Sequence, residues 1–173
     1  KKDGALYFTD PSAGLRNTDE SLKKELPFKG VYLLRDGNLQ LLSKELSSPN
    51  GLAFSPDEKY FYVNDSAKKV IWRFDVQPDD TITNGRILVD MNQDKAPGVP
   101  DGMKVDVKGN IYCTGPGGLW IISPEGNHLG SILTSDLASN LAFGGADGKT
   151  LFLAAHIGLY QIRLKIPGII PGR

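Results

Sequence analysis

Short runs of alternating apolar and polar residues recur along the chain, and each follows a turn. Four of them, "DGALYFTD", "EKYFYVND", "KGNIYCTG" and "DGKTLFLAA", open with a turn and end in small or polar residues. A period of two residues indicates half-buried β-strands, whereas hardly any segment has the 3.6-residue period of an amphipathic helix. The pattern therefore predicts an all-β chain.

The four runs belong to a larger repeat. A shorter apolar run precedes three of them, a third run follows each, and several units add a fourth, such as "NLQLLS" or "GRILVD". Four antiparallel strands in a unit of about 40–50 residues are typical of a β-propeller blade. A β-sandwich is the alternative, but a sandwich gives no reason to copy turns at fixed offsets. We predict a single partial propeller domain over residues 1–173, about three and a half blades that begin within a blade.

Three further segments have structural interpretations. The stretch Ser12–Leu26 is predicted to be a long loop, and "PGIIPGR" a Pro/Gly-rich tail that leaves the last strand. Trp72 and Trp120 fall at matching places in third strands, where packing between blades is the better explanation.

The composition excludes several classes of partner. The 20 basic and 20 acidic residues cancel, which removes the electrostatic argument for nucleic acid or an anionic membrane as partner. No apolar run approaches the roughly 20 residues that span a bilayer. Cys113 is the single cysteine, so an intrachain disulfide is excluded.

Two strands are introduced by the same three-residue pattern of Pro, an oxygen-bearing residue and Gly. Asn50 stands in the first copy and Asp101 in the second, 51 positions later. Because equivalent positions of successive blades surround one axis, both side chains should reach one mouth of the central channel. In the last unit the same position falls on Ser139 or Asn140, depending on the alignment.

Oxygen ligands that converge on one axis suit a hard cation such as Ca²⁺. Asn50 and Asp101 are the candidate ligands, although two residues do not complete a shell of six to eight oxygens. Asn-Gly and Asp-Gly are also common turn dipeptides, so a purely structural role stays open. The second strand of each blade runs back to the same mouth, where we expect Asp10, Asn64 and His156.

Longer stretches resemble a known family. "SPNGLAFSPDEKYFYVND", "GVPDGMKVDVKGNIYC" and "AFGGADGKTLFLAA" are similar to the gluconolactonase, regucalcin and luciferin-regenerating-enzyme family of six-bladed propellers. The likeness runs from "DGALYFTDP" almost to the C-terminus and corresponds to the C-terminal half or more of such a protein. It implies hydrolysis of a small-molecule lactone with one divalent cation, Ca²⁺ first, with Zn²⁺, Mg²⁺ or Mn²⁺ as alternatives. An N-terminal half of the propeller is then expected in addition to this chain.

The resemblance also assigns roles to individual residues. Asn50 matches the family's metal-binding Asn, and Asp101 matches its metal-binding and catalytic Asp. The family's N-terminal Glu ligand has no counterpart here. Asp10, Asn64, Asn140 and His156 are weaker candidates for substrate contact or for support of the ligands. A paraoxonase-like or strictosidine-synthase-like propeller, or a non-catalytic binding propeller, remains the alternative.

Overall fold

A computed structural model of the protein describes residues 1–12 and 25–170. This part of the chain forms β-strands and no α-helix, so the predicted all-β class is confirmed. Within the same residues, no helix is long and apolar enough to cross a membrane. Most of the predicted loop Ser12–Leu26 lies outside the described residues.

The strands form four antiparallel sheets, each of which follows chain order from strand to strand. Sheets II and III have four strands, and sheets I and IV have three. Sheet I consists of β1 (Leu6–Asp10), β2 (Gly30–Arg35) and β3 (Asn38–Ser43), and sheet II of β4 (Pro49–Phe54), β5 (Tyr60–Asp65), β6 (Val70–Val76) and β7 (Ile82–Asp90). Sheet III consists of β8 (Met103–Val105), β9 (Ile111–Gly115), β10 (Gly118–Ile122) and β11 (His128–Leu133), and sheet IV of β12 (Ala138–Gly144), β13 (Thr150–Ala155) and β14 (Leu159–Arg163).

Alternation along the strands creates an apolar layer between each pair of successive sheets. On β5, Phe61 and Val63 pack towards sheet I, whereas the intervening Tyr62 packs towards sheet III. Full burial of one such side chain contributes about 1.5–3 kcal/mol, so each layer is a substantial part of the fold's stability. Because the first strands β4, β8 and β12 also neighbour one another, the sheets are successive blades of a partial β-propeller.

The two tryptophans lie in these layers, as predicted. Trp120 is buried between sheets II and III, and its indole N–H donates to the carbonyl of Pro116 at 2.9 Å. Trp72 packs against the layer between sheets I and II. Their matching places in β6 and β10 follow from the repeat of the blade.

Sheet I begins with the strand that corresponds to the second strand of the other blades. Tyr7 of β1 packs against the next blade, as do Tyr62 of β5 and Tyr112 of β9. In the described structure β1 is therefore the edge strand of sheet I on the side where sheets II and III have a further inner strand. β14 is the outer edge strand of sheet IV, which lacks a fourth strand.

The C-terminal segment Pro167–Ile170 returns to the blades, so the prediction of a tail that leaves the last strand is wrong for these residues. The Ile169 N–H donates to the Val105 carbonyl at 2.9 Å, which attaches the segment to β8. Its two isoleucines enter the apolar layers on either side of sheet III, and their burial explains the return. Gly168 permits the approach, because a Cβ there would lie 1.9 Å from the Phe143 ring.

Candidate functional site

The two Pro-x-Gly segments meet where the inner strands of sheets II and III begin. A Cβ on Gly51 would lie 2.0 Å from the carbonyl oxygen of Asp101, so the two main chains touch at this glycine. Asn50 and Asp101 are both half-buried, and the Asn50 side chain lies close enough to the Asp101 carboxylate to favour its ionised form. The geometry therefore brings together the two residues that the sequence repeat singled out.

Burial raises the pKa of the Asp101 carboxyl above its ordinary value, because removal from water disfavours the charged form. The interaction with Asn50 opposes this effect by stabilising the carboxylate. A raised pKa makes Asp101 a stronger proton acceptor than a fully solvated aspartate.

Side chains from second strands hold the main chain of both residues. The Thr9 hydroxyl donates to the Asn50 carbonyl at 2.8 Å, and the Asn64 amide donates to the Asp101 carbonyl at 2.7 Å. Thr9 and Asn64 occupy equivalent positions in β1 and β5, each two residues after a tyrosine of the apolar layers. Sheets I and II therefore each supply a donor that fixes the site residue of the following blade.

The residue after β5 connects the two site segments directly. Asn50 Nδ2 donates to Ser66 Oγ at 3.2 Å, and the Ser66 hydroxyl donates to the carbonyl of Pro100 at 2.5 Å. Pro100 immediately precedes Asp101, so Ser66 bridges the Asn50 amide to the peptide that carries the catalytic candidate. Ser66 is not among the candidates that the sequence predicts, because its only signal is its place directly after a second strand.

A fully buried carboxylate braces the same region. Asp65 accepts hydrogen bonds from the backbone N–H groups of Ser47 and Ser48, which precede Asn50, at 2.7 and 3.0 Å. It also accepts from the N–H groups of Ala67 and Lys68, at 3.1 and 3.2 Å. A carboxylate loses its hydrogen bonds to water when it is buried, and these four donors take their place. Asp65 thereby ties the entry of β4 to the end of β5.

The structure distinguishes between the two alignments of the last unit. Leu141 pairs with Leu153 as Leu52 pairs with Val63, and two residues earlier Ser139 stands where Asn50 stands. Asn140 instead takes the place of the glycine and lies against Gly102, whose added Cβ would be 2.5 Å from Asn140 Oδ1.

The remaining candidates differ in their surroundings. Asn64 is fully buried behind Asp101, and its Oδ1 has no hydrogen-bond partner among the described residues. Asp10 and His156 are exposed at the ends of β1 and β13. Their proposed roles near the substrate stay predictions.

The donor set fits part of a hard-cation shell. Asn50 and Asp101 offer one amide oxygen and one carboxylate, which are ligand types that Ca²⁺ accepts. In the residues that the structure describes, no group of three or more His, Cys, Asp and Glu side chains could hold a metal ion. The Cys113 thiol is not a competing centre, because burial raises its pKa to about 12 and keeps it protonated.

Comparison with known proteins places this geometry in context. Residues 1–157 match the family described as the SMP-30/Gluconolactonase/LRE-like region. A gluconolactonase of Zymomonas mobilis is 40% identical over 176 aligned positions, which cover 96% of this chain and 49% of that protein.

Solved structures agree with the sequence match. A gluconolactonase structure from Xanthomonas campestris superposes with a TM-score of 0.81 at 34% identity, over 98% of this chain and 55% of that one. The calcium-binding protein regucalcin from Agrobacterium tumefaciens gives a TM-score of 0.76 at 18% identity, over 98% and 60%, and shows the fold alone. The chain spans about half the length of the first of these relatives.

Proposed function

The chain belongs to the SMP-30/gluconolactonase/LRE-like family, and we propose that the complete protein hydrolyses a sugar lactone where Asn50 and Asp101 meet. The close approach of Gly51, next to Asn50, to the Asp101 carbonyl across the inner strands of sheets II and III is the observation on which the proposal depends. The 40% identity to a gluconolactonase, over nearly the whole of this chain, supports the choice of reaction.

Asn50 and Asp101 would hold one divalent cation, with Ca²⁺ as the first candidate and further ligands from outside the described residues. When bound, the cation would polarise the lactone carbonyl and stabilise the negative charge that develops on its oxygen. Asn50 is neutral and would leave that positive charge undiminished. The carboxylate and amide oxygens that the two residues offer support the choice of ion, because Ca²⁺ accepts both types of ligand.

Asp101 would act as the proton acceptor for the attacking water. The water oxygen forms a bond to the carbonyl carbon, its proton passes to the Asp101 carboxylate, and the ring C–O bond breaks. The departing ring oxygen takes up a proton, which the protonated Asp101 can return, so the product is the open-chain hydroxy acid. In the cation-free protein burial favours the protonated form of Asp101, and a bound cation would oppose that effect by favouring the carboxylate that accepts the proton.

The test is Asp101→Asn in the complete protein, assayed with a sugar lactone and Ca²⁺. We expect kcat/KM to fall by about 10²–10⁴-fold, the contribution typical of a positioned acid–base group. The thermal unfolding midpoint should stay the same or rise, because the substitution removes a carboxyl group whose ionised form is disfavoured by burial.

Asn50→Ala separates the ligand role from the proton-transfer role. This variant should require a higher Ca²⁺ concentration for half-maximal activity and regain part of its rate in excess Ca²⁺. Wild-type activity in Asp101→Asn would overturn the proposed role of Asp101. An Asn50→Ala variant with an unchanged Ca²⁺ requirement would remove Asn50 from the ligand set.

A further inference from the structure

We propose that Ser66 is a positioning residue that sets the orientation of the Asn50 amide relative to Asp101. The proposal rests on the proposed function, because it gives Ser66 a part in presenting the oxygen of Asn50 to a cation. It depends on two hydrogen bonds, from Asn50 Nδ2 to Ser66 Oγ and from Ser66 Oγ to the Pro100 carbonyl.

The direction of both hydrogen bonds follows from the chemistry of the groups. A backbone carbonyl only accepts, so the single hydroxyl proton of Ser66 is committed to Pro100 at 2.5 Å. The Ser66 oxygen can then only accept from Asn50, and the group that faces it must be the Asn50 amide nitrogen. Asn50 Oδ1 is therefore the end of the amide that Ser66 leaves free.

Without Ser66, only the nearby Asp101 carboxylate would keep the amide of Asn50 from turning over, and a bound cation would compete for that carboxylate. The nitrogen and oxygen ends of the amide are nearly equal in size, but only the oxygen can bind a cation. A flipped amide would direct N–H groups towards a cation and repel it. Ser66 thus selects between two rotamers of similar shape by the hydrogen bond that only one of them can form.

Ser66 is itself held firmly enough to act in this way. Its backbone N–H donates to the Ser48 carbonyl at 3.0 Å. The buried carboxylate of the preceding residue, Asp65, accepts a hydrogen bond from the N–H group of the following residue, Ala67. It accepts another from the N–H group of Ser47, in the segment before Asn50. The turn after β5 is therefore fixed to the segment before Asn50, and the Ser66 hydroxyl has a defined place between Asn50 and Pro100.

The experiment compares Ser66→Ala with Ser66→Thr in the complete protein, by calorimetric titration with Ca²⁺ in the absence of lactone. Loss of a residue that orients a metal ligand typically costs about 10–100-fold in metal affinity, so we expect a loss of this order in Ser66→Ala. Ser66→Thr keeps the hydroxyl and should stay within about threefold of wild type, since both hydrogen bonds remain possible. Ser131→Ala is the matched control, because its hydroxyl interacts with the exposed His128 on β11, at 2.9 Å, and not with the site residues.

A second measurement does not depend on cation binding or on activity. The side-chain NH₂ resonances of Asn50, identified by their absence in Asn50→Ala, report the hydrogen bond to Ser66 directly. They should move in Ser66→Ala and keep their wild-type positions in Ser66→Thr and Ser131→Ala. If Ser66→Ala does not fold, Ser66→Cys replaces it, with a smaller change in the same direction because a thiol is the weaker hydrogen-bonding group.

The outcomes separate this inference from the proposed function. Unchanged Ca²⁺ affinity and unchanged Asn50 resonances in the variant without the hydroxyl would overturn the role of Ser66, whatever the protein's activity. A wild-type protein that neither binds Ca²⁺ nor hydrolyses lactones would overturn the proposed function. In that case a hydroxyl-dependent shift of the Asn50 resonances would still support Ser66 as the group that orients Asn50.

Discussion

At the scale of single residues, neutral groups dominate the surroundings of the one carboxylate at the site. The Asn50 amide interacts with the Asp101 side chain. The main chain of Asp101 is held by the Asn64 amide, which donates to the Asp101 carbonyl, and by the Thr114 hydroxyl, which accepts from the Asp101 N–H at 2.9 Å. Burial is therefore the main influence on its pKa, and the direction is upward. An incoming cation would find a carboxylate whose charge is little compensated in advance.

The raised pKa can be measured in the cation-free complete protein. In an NMR titration, the chemical shift of the Asp101 carboxyl carbon reports protonation of the carboxyl group. Its midpoint should lie above the ordinary pKa of 3.8, because burial favours the neutral acid. Added Ca²⁺ should lower the midpoint, since the cation binds only the ionised form. Ca²⁺ affinity should accordingly decline as the pH falls through the raised midpoint. A midpoint at or below 3.8 that Ca²⁺ does not move would contradict both the pKa direction and the ligand role.

The sequence predicts some of these residues and not others, for a physical reason. Asn50 and Asp101 were found because a local pattern, Pro-x-Gly before a strand, occurs twice in a repeating fold. Asp65 ends a repeated run and Ser66 follows it, but the run does not reveal their partners: Ser48 lies 17 positions from Asp65, and Asn50 and Pro100 lie 16 and 34 positions from Ser66. Only the packing of one blade on another defines such contacts.

At the scale of the elements, the beginnings of β4 and β8 are in close contact at Gly51. The order of the strands within each blade was predictable, because alternation and turn residues are local properties. Asp106, in the "DxxGN" segment, illustrates such a turn: it accepts from the N–H groups of Lys108 and Asn110 at 2.8 and 3.0 Å. The return of Pro167–Ile170 was not predictable, because Pro and Gly indicate a turn but do not say where the chain goes next.

Gly51→Ala tests the close approach of the two inner strands. The new Cβ would meet the Asp101 carbonyl oxygen at 2.0 Å, and a main-chain atom cannot give way as a side chain can. We expect a loss of about 1–3 kcal/mol in the free energy of unfolding, together with weaker Ca²⁺ binding.

Gly158→Ala is the control for this substitution, because the nearest atoms there belong to the exposed ring of Tyr160. Chemical denaturation of both variants of the complete protein provides the measurement. Equal stabilities of Gly51→Ala and Gly158→Ala would show that the inner strands have room to separate.

At the scale of the whole molecule, both terminal sheets present uncovered apolar side chains. The outer face of sheet I carries two rows across its strands, Leu6 with Leu34 and Leu39, and Phe8 with Leu41 and the buried Tyr32. Leu6 is 55% exposed and Leu39 62%. At the other end, Leu159 of the edge strand β14 is 73% exposed. Unpaired edges and apolar faces of this kind promote association.

The polypeptide of residues 1–173 alone should therefore associate or unfold without a cooperative transition, and should lack lactonase activity with added Ca²⁺. Light scattering, thermal unfolding and a lactone assay on the purified polypeptide check the three parts. Supply of further propeller blades should suppress the association, because they would cover the faces of sheets I and IV. A monomeric, cooperative and active sample would contradict this expectation.

The donors Thr9 and Asn64 have a consequence for how such proteins can diversify. Each one fixes a residue of the following blade. A blade exchanged as a unit between two homologues would therefore be separated from the donor of the preceding blade, and its own donor would be separated from its partner in the following blade. A segment from the second strand of one blade to the first strand of the next would keep these two contacts, but its boundary would separate Asn50 from Ser66 and Ser48 from Asp65. Chimeras that exchange the run from β1 to Asp101 as one piece should thus keep their inherited chemistry more often than chimeras cut between blades or within sheet II.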